Sequence, residues 1–158
     1  MRLFLLLSLP LYILDQVTKY LILANFPDPY TEPARPPIEV IPGFFNIVRV
    51  HNTGMAFGKL NGWEYANYLF GIIAVGALVA IVVLWRKNAF PTRSGKVAAS
   101  LLIAGILGNF TDRILPGRGY VVDFLDFQFG SYHWPSFNVA DSCICIAAAL
   151  LFLSAFQK

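Results

Sequence analysis

The sequence predicts an all-α polytopic membrane protein, with four transmembrane helices, both termini in the cytoplasm and a small extracytoplasmic β-sheet element. Three observations carry that expectation. The 158 residues are 57% hydrophobic and 13% charged, with a mean hydropathy of +0.61, against about 25% charged in soluble domains. Apolar runs near the roughly 20 residues a bilayer requires recur over 3–23, 66–85, 97–115 and 139–156. Basic residues gather in one short link, the imbalance that orients membrane proteins. Together they define a single membrane domain over 1–158.

The first run opens like a secretory leader, but Asp15 and Lys19 interrupt it and no small-residue cleavage site follows, so it is expected to be retained. The next link begins with a proline-rich stretch over 27–37. Over 38–58, Ile38, Val40, Ile41 and the run from Phe44 to Val50 are β-branched and aromatic, broken by Pro42-Gly43, which predicts a small β element. Between the second and third runs, Arg86, Lys87, Arg93 and Lys96 stand without an acid, whereas the first link mixes Arg35, Arg49 and Lys59 with Asp28, Glu32, Glu39 and Glu64. The basic link is therefore read as cytoplasmic and the other two as outward-facing, in keeping with Arg2 and Lys158 at the ends. The net charge of +3 is topology information, and no nucleic-acid footprint is expected. Trp63, Tyr65, Tyr68, Tyr120, Tyr132 and Trp134 fall near outer span ends, where amphipathic rings anchor at headgroup depth.

The last link, over 116–137, contains the short apolar segment 119–127, with Asp123 and Asp126 in it. It is too short to span and is expected along the outer interface or dipping toward the helices. In an extended segment Asp123 and Asp126 would face opposite sides, with Asp126 solvated at the surface. Cys143 and Cys145 are two apart in the fourth run, about 200° around a helix, and cannot bridge each other. Neither they nor His51 and His133 show metal-ligand spacing, so no metal or cofactor is expected.

Ionisable groups in hydrocarbon are costly unless paired or hydrated, which makes each one a functional candidate. With the orientation above, Asn109, Asp112 and Arg113 reach the outer end of the third span, Asn138 and Asp141 open the fourth, and Asp15 lies in the outer half of the first. Two carboxylates in a partly desolvated site cannot both ionise; one keeps a proton while the other acts as base on water. Competing structural roles are open for each. Asp15 and Lys19, four apart with the acid first, would neutralise each other; Asp112 could pair with its neighbour Arg113; Asp141 could cap a helix start. A proton-coupled transporter running through Asp15, Asp112 and Asp141, or a lipid-binding scaffold without chemistry, is the rival to an enzyme. The absence of acids in the inner halves of the spans speaks against a transport path.

Five segments in order, Asp15-Gln16-Val17-Thr18-Lys19, Asn52-Thr53-Gly54-Met55-Ala56-Phe57, Gly108-Asn109-Phe110-Thr111-Asp112-Arg113, Val121-Val122-Asp123-Phe124 and Phe137-Asn138-Val139-Ala140-Asp141, resemble the successive motifs of the bacterial lipoprotein signal peptidase family, signal peptidase II. The resemblance implies an aspartyl endopeptidase of the bacterial inner membrane, its active site facing the periplasm. Its substrates would be diacylglyceryl-modified prolipoproteins drawn from the surrounding membrane lipid, cut before the modified cysteine. It further implies Asp123 and Asp141 as the catalytic pair, with Asn109, Asp112, Arg113, Asn138 and Ala140 supporting the site. Asn52, Gly54, Asp15 and Lys19 would lie near substrate, no metal would take part, and cyclic peptide antibiotics such as globomycin would inhibit. The chain departs from the family pattern at Met55, where alanine is usual, and in a slightly longer link over 115–120.

Overall fold

The computed structural model describes residues 3–30, 35–54 and 65–156. Arg2, Glu32, Met55, Ala56, Phe57, Lys59, Trp63, Glu64 and Lys158, each used in the reading above, lie outside the described residues. Three described helices are long and apolar enough to cross a membrane, Phe4–Asn25, Ala66–Arg86 and Arg93–Ile114, and a shorter apolar helix spans Val139–Ser154. With them stands a four-stranded antiparallel sheet. The chain falls into two compact units.

The first unit comprises Met1–Asp15, Tyr68–Thr111 and Val139–Lys158. A π-helical stretch, Phe4–Ser8, runs directly into helix α1, Leu9–Asn25. The widened turn stands just before Pro10, whose ring would crowd the carbonyl four residues back in a regular α-helix. Helix α2, Ala66–Arg86, ends at Asn88 with φ 54°; Ala89 N–H donates to Leu84 O at 3.0 Å and Asn88 N–H to Trp85 O at 3.1 Å, so the left-handed residue closes the last turn. Helix α3, Arg93–Ile114, starts four residues before the apolar run because Thr92 caps it, its hydroxyl accepting from Gly95 N–H at 3.0 Å. Charged residues in the first turn hid that start from hydropathy.

Helix α4, Val139–Ser154, packs on α3 through small residues. One buried cluster joins Ala98 and Leu101 to Cys143 and Ala147, and a second joins Ile81 to Ala99 and Ile103. A Cβ at Gly105 would lie 2.5 Å from Ala140 O, so the two backbones are in contact there, and glycine is the residue that permits it.

The second unit comprises Gln16–Asn67 and Asp112–Asn138. Its strands are β1 (Ile38–Ile41), β2 (Phe45–Asn52), β3 (Val121–Phe129) and β4 (Tyr132–His133), hydrogen-bonded in chain order. The first pair is the expected β element, turning at Gly43 with φ 69°. The segment expected along the outer interface or dipping toward the helices forms the sheet's longest strand, β3, paired with both β2 and β4. Val121, Val122, Asp123 and Phe124 are all buried, so both faces of the strand's first half are covered and no apolar–polar alternation marks it in the sequence. Phe45 and Phe137 stack on either side of Phe127, at 4.8 and 5.8 Å between ring centroids, building the apolar part of the sheet.

Candidate active site

In the second unit the site begins with strand register. Asn46 lies opposite Asp126 and Ile47 opposite Leu125, but a one-residue shift follows, and Val50 lies opposite Asp123. An extra residue in one strand swaps the face that every later side chain occupies. Asn52, two beyond Val50, therefore comes to the same face as Asp123 and within diagonal reach of it. Its Nδ2 donates to Asp123 Oδ2 at 3.0 Å while its Oδ1 accepts from Gly54 N–H at 3.1 Å, which fixes the direction of the amide. Asn138, fully buried immediately before α4, donates to Asp123 Oδ1 at 2.7 Å. Each oxygen of Asp123, a residue only 2% exposed, thus accepts from a neutral amide.

Asp112 is held differently. Lys19 Nζ stands 3.0 Å from Oδ2 and Arg118 Nη1 2.5 Å from Oδ1, while Val122 N–H donates to Oδ2 at 3.3 Å. Both Lys19 and Asp112 are fully buried, so the desolvated pair ties the C-terminal half of α1 to the last turn of α3 and fastens the backbone next to Asp123. The sequence reading offered Arg113 as the partner of Asp112. Successive helix residues point in different directions, and Arg113 donates to Gly54 O at 2.9 Å and to Asn67 Oδ1 at 3.2 Å. Mutual neutralisation of Asp15 and Lys19 also omitted the long-range partner that Lys19 finds in Asp112.

The expectation of a solvated Asp126 is overturned. It is 6% exposed, accepts from Asn46 Nδ2 at 2.9 Å, and lies 3.1 Å from His133 Nδ1. The turn at Gly130 folds β4 back onto β3 and brings His133 over the acid, a placement that a reading without the hairpin could not supply. His51, also buried, stacks 3.6 Å from Tyr120 and accepts from Arg49 Nε at 2.9 Å on Nε2, leaving its proton on Nδ1. Burial, helped by the Arg49 charge, pushes its pKa from 6.5 down to about 4.

In the first unit, Asn109 Nδ2 donates to Asp141 Oδ1 at 2.7 Å, joining α3 to the first turn of α4. Asp15, 1% exposed, accepts from Ala140 N–H at 2.9 Å and so satisfies one of the amides that a helix start leaves without an intrahelical partner. Gly108 makes room for it: a Cβ there would lie 2.5 Å from Asp15 Oδ2 and 2.9 Å from Ala140 Cβ. Asp15 and Ala140 thus act as one structural joint.

Sequence reasoning missed Asn46 and Asn67 and considered His133 only as a metal ligand. A carboxamide within or beside an apolar run was the available signal. Among the described residues no cluster of three or more His, Cys, Asp or Glu is arranged to hold a metal. In the second unit Asp123 accepts from two neutral amides, whereas Asp112 faces two cations.

Comparison with known proteins agrees with the five motifs. The family model described as Signal peptidase (SPase) II matches residues 7–157. The chain is 43% identical over 161 aligned residues to the lipoprotein signal peptidase of Alteromonas mediterranea, covering 98% of this chain and 81% of that protein. It is 40% identical to that of Aeromonas hydrophila, covering 93% and 84%. A solved structure described as a bacterial membrane enzyme at 2.3 Å resolution superposes with a TM-score of 0.82 at 40% identity, over 98% of this chain and 87% of that one. A second, at 1.9 Å resolution, gives 0.79 at 39% identity, over 98% and 93%. The apolar helices, the buried acids and these matches lead to one conclusion: the chain belongs to the signal peptidase II family of lipoprotein signal peptidases.

Proposed function

We propose that this protein is an intramembrane aspartyl endopeptidase that removes the signal peptide from diacylglyceryl-modified prolipoproteins, cutting before the lipid-bearing cysteine. The observation that carries the reading is the environment of Asp123, a buried carboxylate whose two oxygens accept from Asn52 and Asn138. Asp141, engaged by Asn109, is the proposed second member of the pair. Family membership supports the substrate class, since the matched relatives carry the name lipoprotein signal peptidase.

In this mechanism the ionised member of the pair deprotonates water, the other protonates the scissile carbonyl oxygen, and the tetrahedral intermediate collapses as a proton passes to the leaving amine. A well-placed amide donor to the developing oxyanion would contribute about 3 kcal/mol. The uneven split of basic residues supports four spans with both termini in the cytoplasm and the acids toward the outer side of the inner membrane. A diacylglyceryl group confined to that leaflet would bring the adjacent peptide bond to the acids at high effective concentration. Globomycin-type cyclic peptides would compete with the prolipoprotein substrate.

The test is gel-shift cleavage of a diacylglyceryl-modified prolipoprotein by purified wild type, Asp123→Asn, Asp141→Asn and Asp112→Asn, each checked for folding in detergent. Loss in the first two folded variants with residual activity in the third is expected. An active Asp123→Asn would refute the pair, and an inactive wild type would refute the peptidase.

A further inference from the structure

Asn67, which none of the five motifs contains, stands in the first turn of α2 and makes two contacts that lead toward Asp123. Its Nδ2 donates to Gly119 O at 2.6 Å, and its Oδ1 accepts from Arg113 Nη1 at 3.2 Å. The direction of the amide is forced: turned over, it would set oxygen against the Gly119 carbonyl and an NH2 group against the guanidinium. Gly119 has φ 67°, and a Cβ on it would lie 3.3 Å from Asn67 Nδ2, so the carboxamide rests directly over this left-handed residue.

Two routes lead from that amide to the proposed catalytic acid. Along the first, Arg113 Nη2 donates to Gly54 O at 2.9 Å, Gly54 N–H donates to Asn52 Oδ1 at 3.1 Å, and Asn52 Nδ2 donates to Asp123 Oδ2 at 3.0 Å. Along the second, Gly119 stands two residues before β3, and Asp123 follows four residues later, after the buried Val121 and Val122. The first route sets the donor that meets the carboxylate; the second sets the backbone that carries it.

Building on the peptidase reading, we infer that Asn67 is a positioning residue for Asp123, acting through Arg113, Gly54 and Asn52 on one side and through Gly119 on the other. Its carboxamide is needed as donor and acceptor at once. Leucine of similar volume supplies neither, and aspartate keeps only the acceptor while facing the Gly119 carbonyl with negative charge. Because the effect is on the geometry of the acid, it belongs in turnover; substrate affinity should be nearly unchanged.

The experiment measures kcat and KM for cleavage of a diacylglyceryl-modified prolipoprotein by full-length wild type, Asn67→Leu, Asn67→Asp, Asn52→Ala and the double variant Asn52→Ala with Asn67→Leu, in detergent and with size-exclusion profiles. Asn67→Leu should lower kcat about 10- to 100-fold with KM within about 3-fold, the size expected when a reacting group is displaced by a fraction of an ångström to an ångström. Asn67→Asp should also lower kcat, and the double variant should lose less than the product of the two single losses, since both changes break one route. If Asn67→Leu does not elute as folded protein, the isosteric Asn67→Asp decides by the same kcat and KM criteria. Turnover within about 2-fold of wild type, a change confined to KM, or fully multiplicative losses would overturn the inference. A wild type without cleavage would overturn the peptidase reading itself and this inference with it.

Discussion

Asp123 and Asp126 sit three residues apart on one strand, are almost equally buried, and each accepts an amide hydrogen from an asparagine of β2, yet they are held for different ends. The shift between Ile47 and Val50 is what separates them. Before it Asn46 faces Asp126; after it Asn52 shares a face with Asp123. The remaining oxygen of Asp123 takes a second neutral amide from Asn138, whereas Asp126 lies against His133, a group that can carry charge. Burial alone therefore does not identify a reactive carboxylate. The chemistry of the partners also differs, and in this sheet one extra residue in β2 decides which asparagine meets which acid.

The strongest way to break that contrast is to neutralise each acid in turn. Asp123→Asn should reduce cleavage at least about 1,000-fold, and Asp126→Asn should stay within about 10-fold of wild type, as measured by single-turnover cleavage; equal losses would erase the distinction. Asn52→Ala removes the amide that β2 presents to Asp123 after the shift, so a loss of about 100-fold in turnover is expected, with β2 and β3 still paired by hydrogen exchange. Asp126→Leu leaves the buried Asn46 amide without its acceptor and should lower unfolding free energy by about 2 kcal/mol in reversible denaturation in detergent.

A smaller effect concerns His51. Its folded pKa of about 4 lies below the ordinary 6.5, so the unfolded chain takes up the proton more readily. Its contribution to stability is complete above pH 6.5 and is lost as pH falls toward 4. Melting temperature should decline across that window, and His51→Gln, which can still accept from Arg49 and does not titrate, should flatten the decline.

The helices were legible because hydropathy and length act on whole segments. All four expected runs coincide with helices, and the misplaced start of α3 traces to a polar cap that hydropathy does not register. The β1–β2 hairpin was legible from β-branched residues around Pro42-Gly43. β3 was not, because its buried first half carries Asp123 among apolar residues on both faces and so lacks the period of a half-exposed strand. The individual acids were found by their cost in an apolar chain, but their partners were not. Lys19 with Asp112, Asn52 with Asp123 and Asn46 with Asp126 are separated by dozens of residues, and register and helix packing, which local pattern does not encode, bring them together.

The bond from Ala140 N–H to Asp15 spans 125 positions of chain and has a consequence for biogenesis. Ribosomes make α1 before α4, so the carboxylate that completes this joint waits through the synthesis of 125 residues for the amide it accepts. Until then the nascent protein carries an acid in an apolar segment before the amide it accepts has been made, and such an acid is costly in hydrocarbon. Chains truncated before α4 should be degraded faster than chains that include it, and the same joint that shapes the first unit would then report that α4 has been made.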